Sequence, residues 1–202
     1  MSAGDDDGPL VAAAVEGDTA AFNRLVLRYQ DQVYTLCYRL TGNAEDAADA
    51  AQEAFLSAYR HVREVRGLFR AWLLRIAANC CYDLHRARSR RPADSLDRSA
   101  REDEAAVPTR DVADPAFGPE DLALKGELER VVQAGLLALP DDQRLAVVLC
   151  DLYGFDYQSI AEMTGVELGT VKSRINRGRR RLRDLLLAQR ELLPSAYRLR
   201  EE

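Results

Sequence analysis

The sequence is poor in the residues on which most catalytic and metal chemistry depends. Its 202 residues include two histidines, four cysteines and one tryptophan. No Ser-His-Asp arrangement, glycine-rich phosphate loop or metal-ligand cluster accompanies His61 and His85, so neither an enzyme nor a small-molecule substrate is expected. Cys37, Cys80, Cys81 and Cys150 lack CxxC spacing and fall on or near apolar faces of helical stretches, which is the pattern of buried thiols in a reducing compartment. Cys81 and His85 lie four apart and could join Cys37 around a metal. Structural zinc wants four well-spaced ligands, however, so no metal or cofactor is expected. No apolar run is long enough to span a bilayer, and the start, MSAGDDDGP, has no signal-peptide pattern. The expectation is therefore a cytoplasmic protein without membrane insertion. Strand-like alternation and internal repeats are missing too, which leaves an all-α chain.

The formal net charge of -5 and a pI near 5.2 look wrong for a protein that meets nucleic acid. The charges are segregated, however, and local charge is what meets phosphate. Residues 172–190 and 85–91 are strongly positive, while 93–121 are mostly acidic.

The organising stretch is 156–186. Asp156 is placed to cap a helix running to Met163, with Ile160 and Ala161 inward, and Thr164 and Gly165 break it. A second helix starts near Leu168 or Gly169 and runs to about Leu186. On it Val171, Ile175, Gly178, Leu182 and Leu185 recur at helical spacing as one buried stripe. Its other faces carry Lys172, Ser173, Arg174, Asn176, Arg177, Arg179, Arg180, Arg181 and Arg183, with Asp184 the lone acid. A helix–turn–helix whose second helix is this basic is shaped to enter a major groove, its N-terminal half on base edges.

In chain order, the acidic residues through Gly8 read as a disordered lead. A short helix follows over 10–16, with Pro9 in its first turn and Gly17 as its end. Asp18 or Thr19 caps a long helix to about Leu40, striped by Phe22, Leu25, Val26, Tyr29, Val33, Leu36 and Leu40, and stopped at Gly42. A third helix spans 44–60. Ala47, Ala50, Ala51, Ala54, Phe55 and Ala58 face inward on it, and Asp46, Asp49, Gln52 and Glu53 form an acidic and amide surface.

Residues 62–68, VREVRGL, break the helical pattern with Gly67 as hinge. The helix FRAWLLRIAANCCYDLHRARSRR then puts Trp72, Leu73, Ile76, Ala77, Cys80 and Leu84 on a core face. Its other side carries Arg70, Arg75, Asn79, Tyr82, Asp83, Arg86 and further arginines, basic residues interleaved with an aromatic as suits unpaired strands. Pro92 ends it, and 92–119 reads as a flexible acidic linker with several prolines and little apolar content. A helix over 120–139 carries Leu122, Leu128, Val131, Val132, Leu136 and Leu139. Pro140 breaks it, Asp141 or Asp142 caps the next, and that helix turns Leu145, Val148, Leu149 and Leu152 inward. Pro194 ends the final helix. Two small helical domains are thus expected, 1–91 and 120–202, joined by the acidic linker 92–119, the second domain holding the helix–turn–helix.

Several stretches resemble the extracytoplasmic-function (ECF) subfamily of bacterial RNA polymerase sigma factors. GTVKSRINRGRRRL looks like the recognition helix of the promoter −35 domain, and LPDDQRLAVVLCDLYGFDYQSIAEMTG like the helices before it. DAADAAQEAFLSAYR resembles the motif that docks on the polymerase clamp helices. FRAWLLRIAANCCYDLHRARSRR resembles the helix that handles the −10 element. The three in this order, with such a linker, cover nearly the whole chain.

The resemblance implies core RNA polymerase, promoter DNA and a dedicated anti-sigma factor as partners. It implies polymerase docking through Asp46, Asp49, Gln52 and Glu53. On the −10 strand it implies Asn79, Tyr82, Asp83 and Arg86, with 62–68 as the pocket for a flipped base. It implies −35 base reading by Lys172, Ser173, Asn176 and Arg177, with Thr170, Arg174, Arg179 and Arg180 nearer phosphates. The competing reading, a polymerase-independent helix–turn–helix regulator, leaves the third and fourth helices without a role.

Overall fold

The computed structural model describes residues 7–89 and 119–188. The chain divides into two compact units, Met1–Ser99 and Ala100–Glu202, and all regular structure among the described residues is helical. Residues 1–6 of the expected lead, 92–118 of the expected linker and the stops at Pro92 and Pro194 lie outside the described residues; Gly8 and Pro119, expected in the lead and the linker, open helices instead.

The first unit holds α1 (Gly8–Val15), α2 (Thr19–Thr41), α3 (Ala44–Arg60), a 3-10 turn (Val62–Glu64) and α4 (Phe69–Ser89). The helix ends follow from capping chemistry. Asp18 accepts from the backbone N–H of Ala20 and Ala21 at 2.8 and 3.1 Å, and Gly42 closes α2 in the left-handed conformation at φ 71. Asn43 caps α3 through the Asp46 N–H at 3.0 Å. Asp7, just before α1, accepts from Arg28 Nη1 at 2.6 Å and Tyr29 Oη at 2.5 Å, tying the chain start to α2. Burial, then this carboxylate, pushes the Tyr29 phenol up to about 12.

The core of this unit is where α2, α3 and α4 meet. Phe22, Leu25, Val33, Leu36 and Leu40 are buried as the α2 stripe predicts, joined by Ala21 and Cys37. Ala47, Ala50, Ala51, Ala54 and Ala58 are buried on α3, while Phe55 is only half-buried. Two expectations need correction here. On α4 the deepest face is Phe69, Leu73, Leu74, Ala77, Ala78 and Cys81, whereas Trp72, Ile76, Cys80 and Leu84 are half-buried. The core stripe is turned toward the Phe69 side, and Trp72 lies at its margin with its ring 5.7 Å from that of Phe69. On α3 Asp46 is only 8% exposed, so it does not share the open surface of Asp49, Gln52 and Glu53.

The second unit holds α5 (Pro119–Leu137), α6 (Asp141–Val147) running into a π turn (Val148–Leu152), α7 (Tyr157–Thr164) and α8 (Leu168–Ala188). Leu136, Val148, Leu149, Ile160, Val171 and Ile175 are fully buried. Each contributes on the order of 1.5–3 kcal/mol relative to exposure. Neither Asp141 nor Asp142 caps α6. Pro140 holds the cap position and the two acids occupy the first turn, where they face arginines instead. Leu152 is 48% exposed rather than inward. The π turn is the reason: the Tyr153 N–H reaches back five residues to the Val148 carbonyl at 3.3 Å. That extra residue puts the following side chains out of α-helical phase.

Candidate nucleic-acid interface

The helix–turn–helix is assembled from local chemistry. Asp156 accepts from the Ser159 N–H at 2.8 Å and the Ser159 hydroxyl at 3.1 Å, fixing the start of α7. Those bonds hold its carboxyl below the usual carboxylate range. Gly165 ends α7 at φ 65, a conformation that a side chain would strain. Thr170 and Val171 then donate back to the Glu167 carbonyl at 2.9 and 3.1 Å, opening α8.

Val171, Ile175 and Gly178 face inward on α8. The approach to α6 is close: a Cβ on Gly178 would lie 2.6 Å from Val147 Cγ2 and 3.3 Å from the Gln143 carbonyl. A Cβ on Gly135 of α5 would likewise meet Leu182 Cδ1 at 2.9 Å. Glycines thus set α8 deep against its neighbours, and its opposite face is left outward.

That outward face carries Lys172, Asn176, Arg177 and Arg180, all exposed, with Ser173 and Thr170 half-buried beside them. Arg177 lies along its own helix, its Nε 3.2 Å from the Ser173 carbonyl and its Nη2 2.7 Å from Ser173 Oγ. Arg174 and Arg179 sit elsewhere, on the two flanks next to α6. Arg174 Nε is 2.9 Å from Asp142 Oδ2, with the arginine side chain 19% exposed. Arg179 grips Asp151 with two prongs, Nε to Oδ2 at 3.0 Å and Nη2 to Oδ1 at 2.5 Å. This pair holds the Asp151 carboxyl down and pushes the Arg179 guanidinium up. The sequence offers Asp142 only as a cap and gives Asp151 no role. The signal for the pairs is faint: acids at both ends of the run DQRLAVVLCD, and two arginines that border the buried stripe of α8.

In the first unit α3 and α4 enclose an open groove of about 760 Å³. Asp49, Gln52 and Glu53 line it from α3, and Asn79, Cys80 and Asp83 from α4, with Leu56, Ile76 and Leu84 supplying an apolar floor. Residues assigned from the sequence to two tasks, polymerase docking and the −10 strand, therefore border one cleft. Asp46 is not among its lining residues, nor are Tyr82 and Arg86, whose guanidinium stands 5.8 Å from the Tyr82 ring centre. Burial, then Cys81, Glu53 and Asp83, pushes the Cys80 thiol up to about 11. In the expected base pocket, 62–68, Val62 is buried, Gly67 takes φ 74 and Leu68 is 78% exposed. Among the described residues no group of His, Cys, Asp and Glu could hold a metal ion, and no helix is long and apolar enough to cross a membrane.

An all-α chain with a basic helix–turn–helix in one unit and a cleft bordered by acids and amides in the other has the parts of a promoter-recognising transcription factor. Residues 25–91 match the family described as Sigma-70 region 2, and residues 129–182 match Sigma-70, region 4. The ECF RNA polymerase sigma factor SigW of Bacillus subtilis (strain 168) is 37% identical over 85% of this chain and 91% of its own length. The ECF sigma factor SigE of Mycolicibacterium smegmatis is 42% identical over 84% of this chain, which spans 64% of that longer relative. A solved structure of the sigma factor RpoE in complex with the anti-sigma factor NepR, from Bartonella quintana, superposes with a TM-score of 0.60. It is 29% identical and the match covers 82% of this chain and 96% of that one. The chain belongs to the ECF RNA polymerase sigma factors.

Proposed function

We propose that the chain directs core RNA polymerase to promoters and helps to open them, its two units taking separate promoter elements. The observation that carries this is the outward row Lys172, Asn176, Arg177 and Arg180, backed by the buried Val171, Ile175 and Gly178. A helix seated this way presents its N-terminal half to the −35 major groove. Lys172, Ser173, Asn176 and Arg177 read base edges, and Thr170 and Arg180 reach phosphates. Arg177 leaves its resting bond to Ser173 to pair with guanine in two-pronged fashion.

The first domain, 1–91, docks on polymerase through Asp49, Gln52 and Glu53 with Asp46 beneath them, and takes up the separated −10 strand through Asn79 and Asp83. Tyr82 and Arg86, the guanidinium 5.8 Å over the ring, extend that strand contact. Residues 62–68 receive an extruded base, whose capture offsets an unstacking cost of a few kcal/mol. Residues 92–119 join this domain to the −35 domain, 120–202. No substrate is consumed, so the chain is a specificity subunit rather than an enzyme, and it acts in the cytoplasm. The RpoE relative bound to NepR supports an anti-sigma factor as a further partner.

The test follows promoter melting with a fluorescent base at −10, on DNA selected by the reconstituted holoenzyme. Melting should require both chain and core polymerase, and Arg177→Ala should weaken it about tenfold or more. Tight duplex binding by the chain alone, unaffected by core, would overturn the reading in favour of an operator-binding regulator.

A further inference from the structure

We infer that Arg174 and Arg179 are positioning residues that brace the recognition helix against α6 and its π turn, leaving phosphate contact to other cations of α8. The inference rests on the −35 reading of α8 and divides the roles within it.

The helical phase comes first. Counting 100° per residue from Val171, Ile175 and Gly178 fall near the buried direction, and Arg180 and Asn176 near the opposite one. Arg174 and Arg179 emerge on opposite flanks of the buried stripe, Arg174 about 40° outside Gly178 and Arg179 about 40° outside Ile175. The partners come second. Asp142 stands in the first turn of α6 and Asp151 in the π turn at its end, so the two ion pairs lie at the two ends of the α6–α8 contact. Between them lies a close approach, at Gly178 and Val147. Two pairs and a glycine contact resist rotation of α8 about its own axis. A rotation of about 10° would carry a side-chain tip roughly 1 Å across the base edges, given a helix radius of about 5–6 Å.

Phosphate contact by these arginines runs against the same geometry. Arg179 would have to give up a two-pronged, charge-assisted grip. It would also leave the Asp151 carboxylate, 32% exposed, without its guanidinium partner. The pair is electrically neutral as it stands, so Arg179 brings little net attraction to the duplex. Arg174 is the more deeply placed of the two.

The experiment measures holoenzyme affinity for a −35 promoter duplex over a salt series. It uses Arg179→Gln, Asp151→Asn, the swap Asp151→Arg with Arg179→Asp, Arg180→Gln as the phosphate comparator and Asn176→Ala as the base-reading comparator. Arg180→Gln should lower the salt slope by about 0.9. Arg179→Gln should weaken binding about two- to fivefold with the slope unchanged. Asp151→Asn separates the alternatives most cleanly. A brace predicts weaker binding, whereas an arginine available to phosphate predicts tighter binding once the competing acid is gone. The swap should return affinity to within about twofold, which shows that the pairing, rather than either charge alone, supports binding. A slope reduced by about 0.9 in Arg179→Gln, together with tighter binding by Asp151→Asn, overturns the brace and leaves α8 as the reader. Unchanged affinity in Arg180→Gln and in Asn176→Ala alike overturns the −35 reading and the brace together.

Discussion

Gly178 of α8 lies against Val147 of α6 so closely that a single added methyl would stand 2.6 Å from Cγ2 of Val147. No ordinary carbon contact is that short, so the Val147 side chain or one of the helices must shift to accept any other residue. Gly178→Ala gains about 1 kcal/mol of helix propensity and loses roughly 1–3 kcal/mol to overpacking. The net expectation is a lower unfolding temperature for the second unit and weaker promoter binding. Gly169, on the same helix, has nothing within 4 Å of its Cβ position. Gly169→Ala should raise stability by up to about 1 kcal/mol. Thermal unfolding of the two variants side by side tests whether packing, rather than propensity, selects glycine at 178.

Much of this was legible in the sequence because periodicity and capping are local. Asp18, Asp156, Gly42 and Gly165 act at the ends where their chemistry places them. The stripe Val171, Ile175 and Gly178 falls where a 3.6-residue repeat puts it. The misreadings came from effects that the pattern does not encode. On α4 every candidate face is apolar somewhere, and packing against two neighbours decided for Phe69, Leu74, Ala78 and Cys81 over Trp72, Ile76, Cys80 and Leu84. Helical spacing puts Leu152 one α-helical turn past Val148, and the π turn takes it out of phase. The ion pairs of Arg174 with Asp142 and of Arg179 with Asp151 are not legible in the pattern either, because these arginines are alike in sequence to Arg177 and Arg180.

The alanine face of α3 carries a second prediction. Ala47, Ala50, Ala54 and Ala58 are all at most 1% exposed, so the backbone of α3 packs directly on its neighbours without intervening side-chain bulk. Ala54→Leu should destabilise the first unit by about 1–3 kcal/mol, although it adds apolar surface and keeps helix propensity. Leu36→Ala, at a fully buried site of α2, should cost about 2–5 kcal/mol through the cavity it leaves. Urea unfolding followed by circular dichroism reads both. An unchanged midpoint in Ala54→Leu would mean that α3 has room that the buried alanines deny.

The Arg179–Asp151 pair should show itself in acid. Its hydrogen bonds hold the Asp151 carboxyl below the ordinary value of 3.8, against the opposing effect of burial. A depressed carboxyl contributes stability above its unfolded value and loses it as pH falls through its folded one. At neutral pH wild type should therefore melt above Asp151→Asn. The gap should persist down to about pH 4 and close below it, as Asp151 takes up a proton. Arg179 and the Cys150 thiol are the groups facing this carboxyl, and neither changes charge in that window. A gap that stays constant to pH 2 would show that the asparagine acts through packing instead.

The thiols offer a reporter for the cleft between α3 and α4. Cys37 and Cys81 are buried, and contact with Cys81 together with burial drives the Cys37 thiol far up, so neither should alkylate in the folded chain. Cys80 lines the cleft and remains reachable, but a value near 11 in place of 9.0 leaves about a hundredfold less thiolate at pH 8 than an unperturbed thiol has. Slow, measurable labelling of Cys80 is the expectation, with Cys37 modified only after unfolding. Glu53→Gln removes one of the charges that raise the Cys80 value and should speed its labelling. Docking of polymerase on Asp49, Gln52 and Glu53 would cover the same cleft, so labelling of Cys80 should fall sharply in the holoenzyme. Mass spectrometry of each cysteine, with and without core polymerase, makes the comparison within one sample. Equal Cys80 rates in the free and bound chain would place the docking surface away from this cleft.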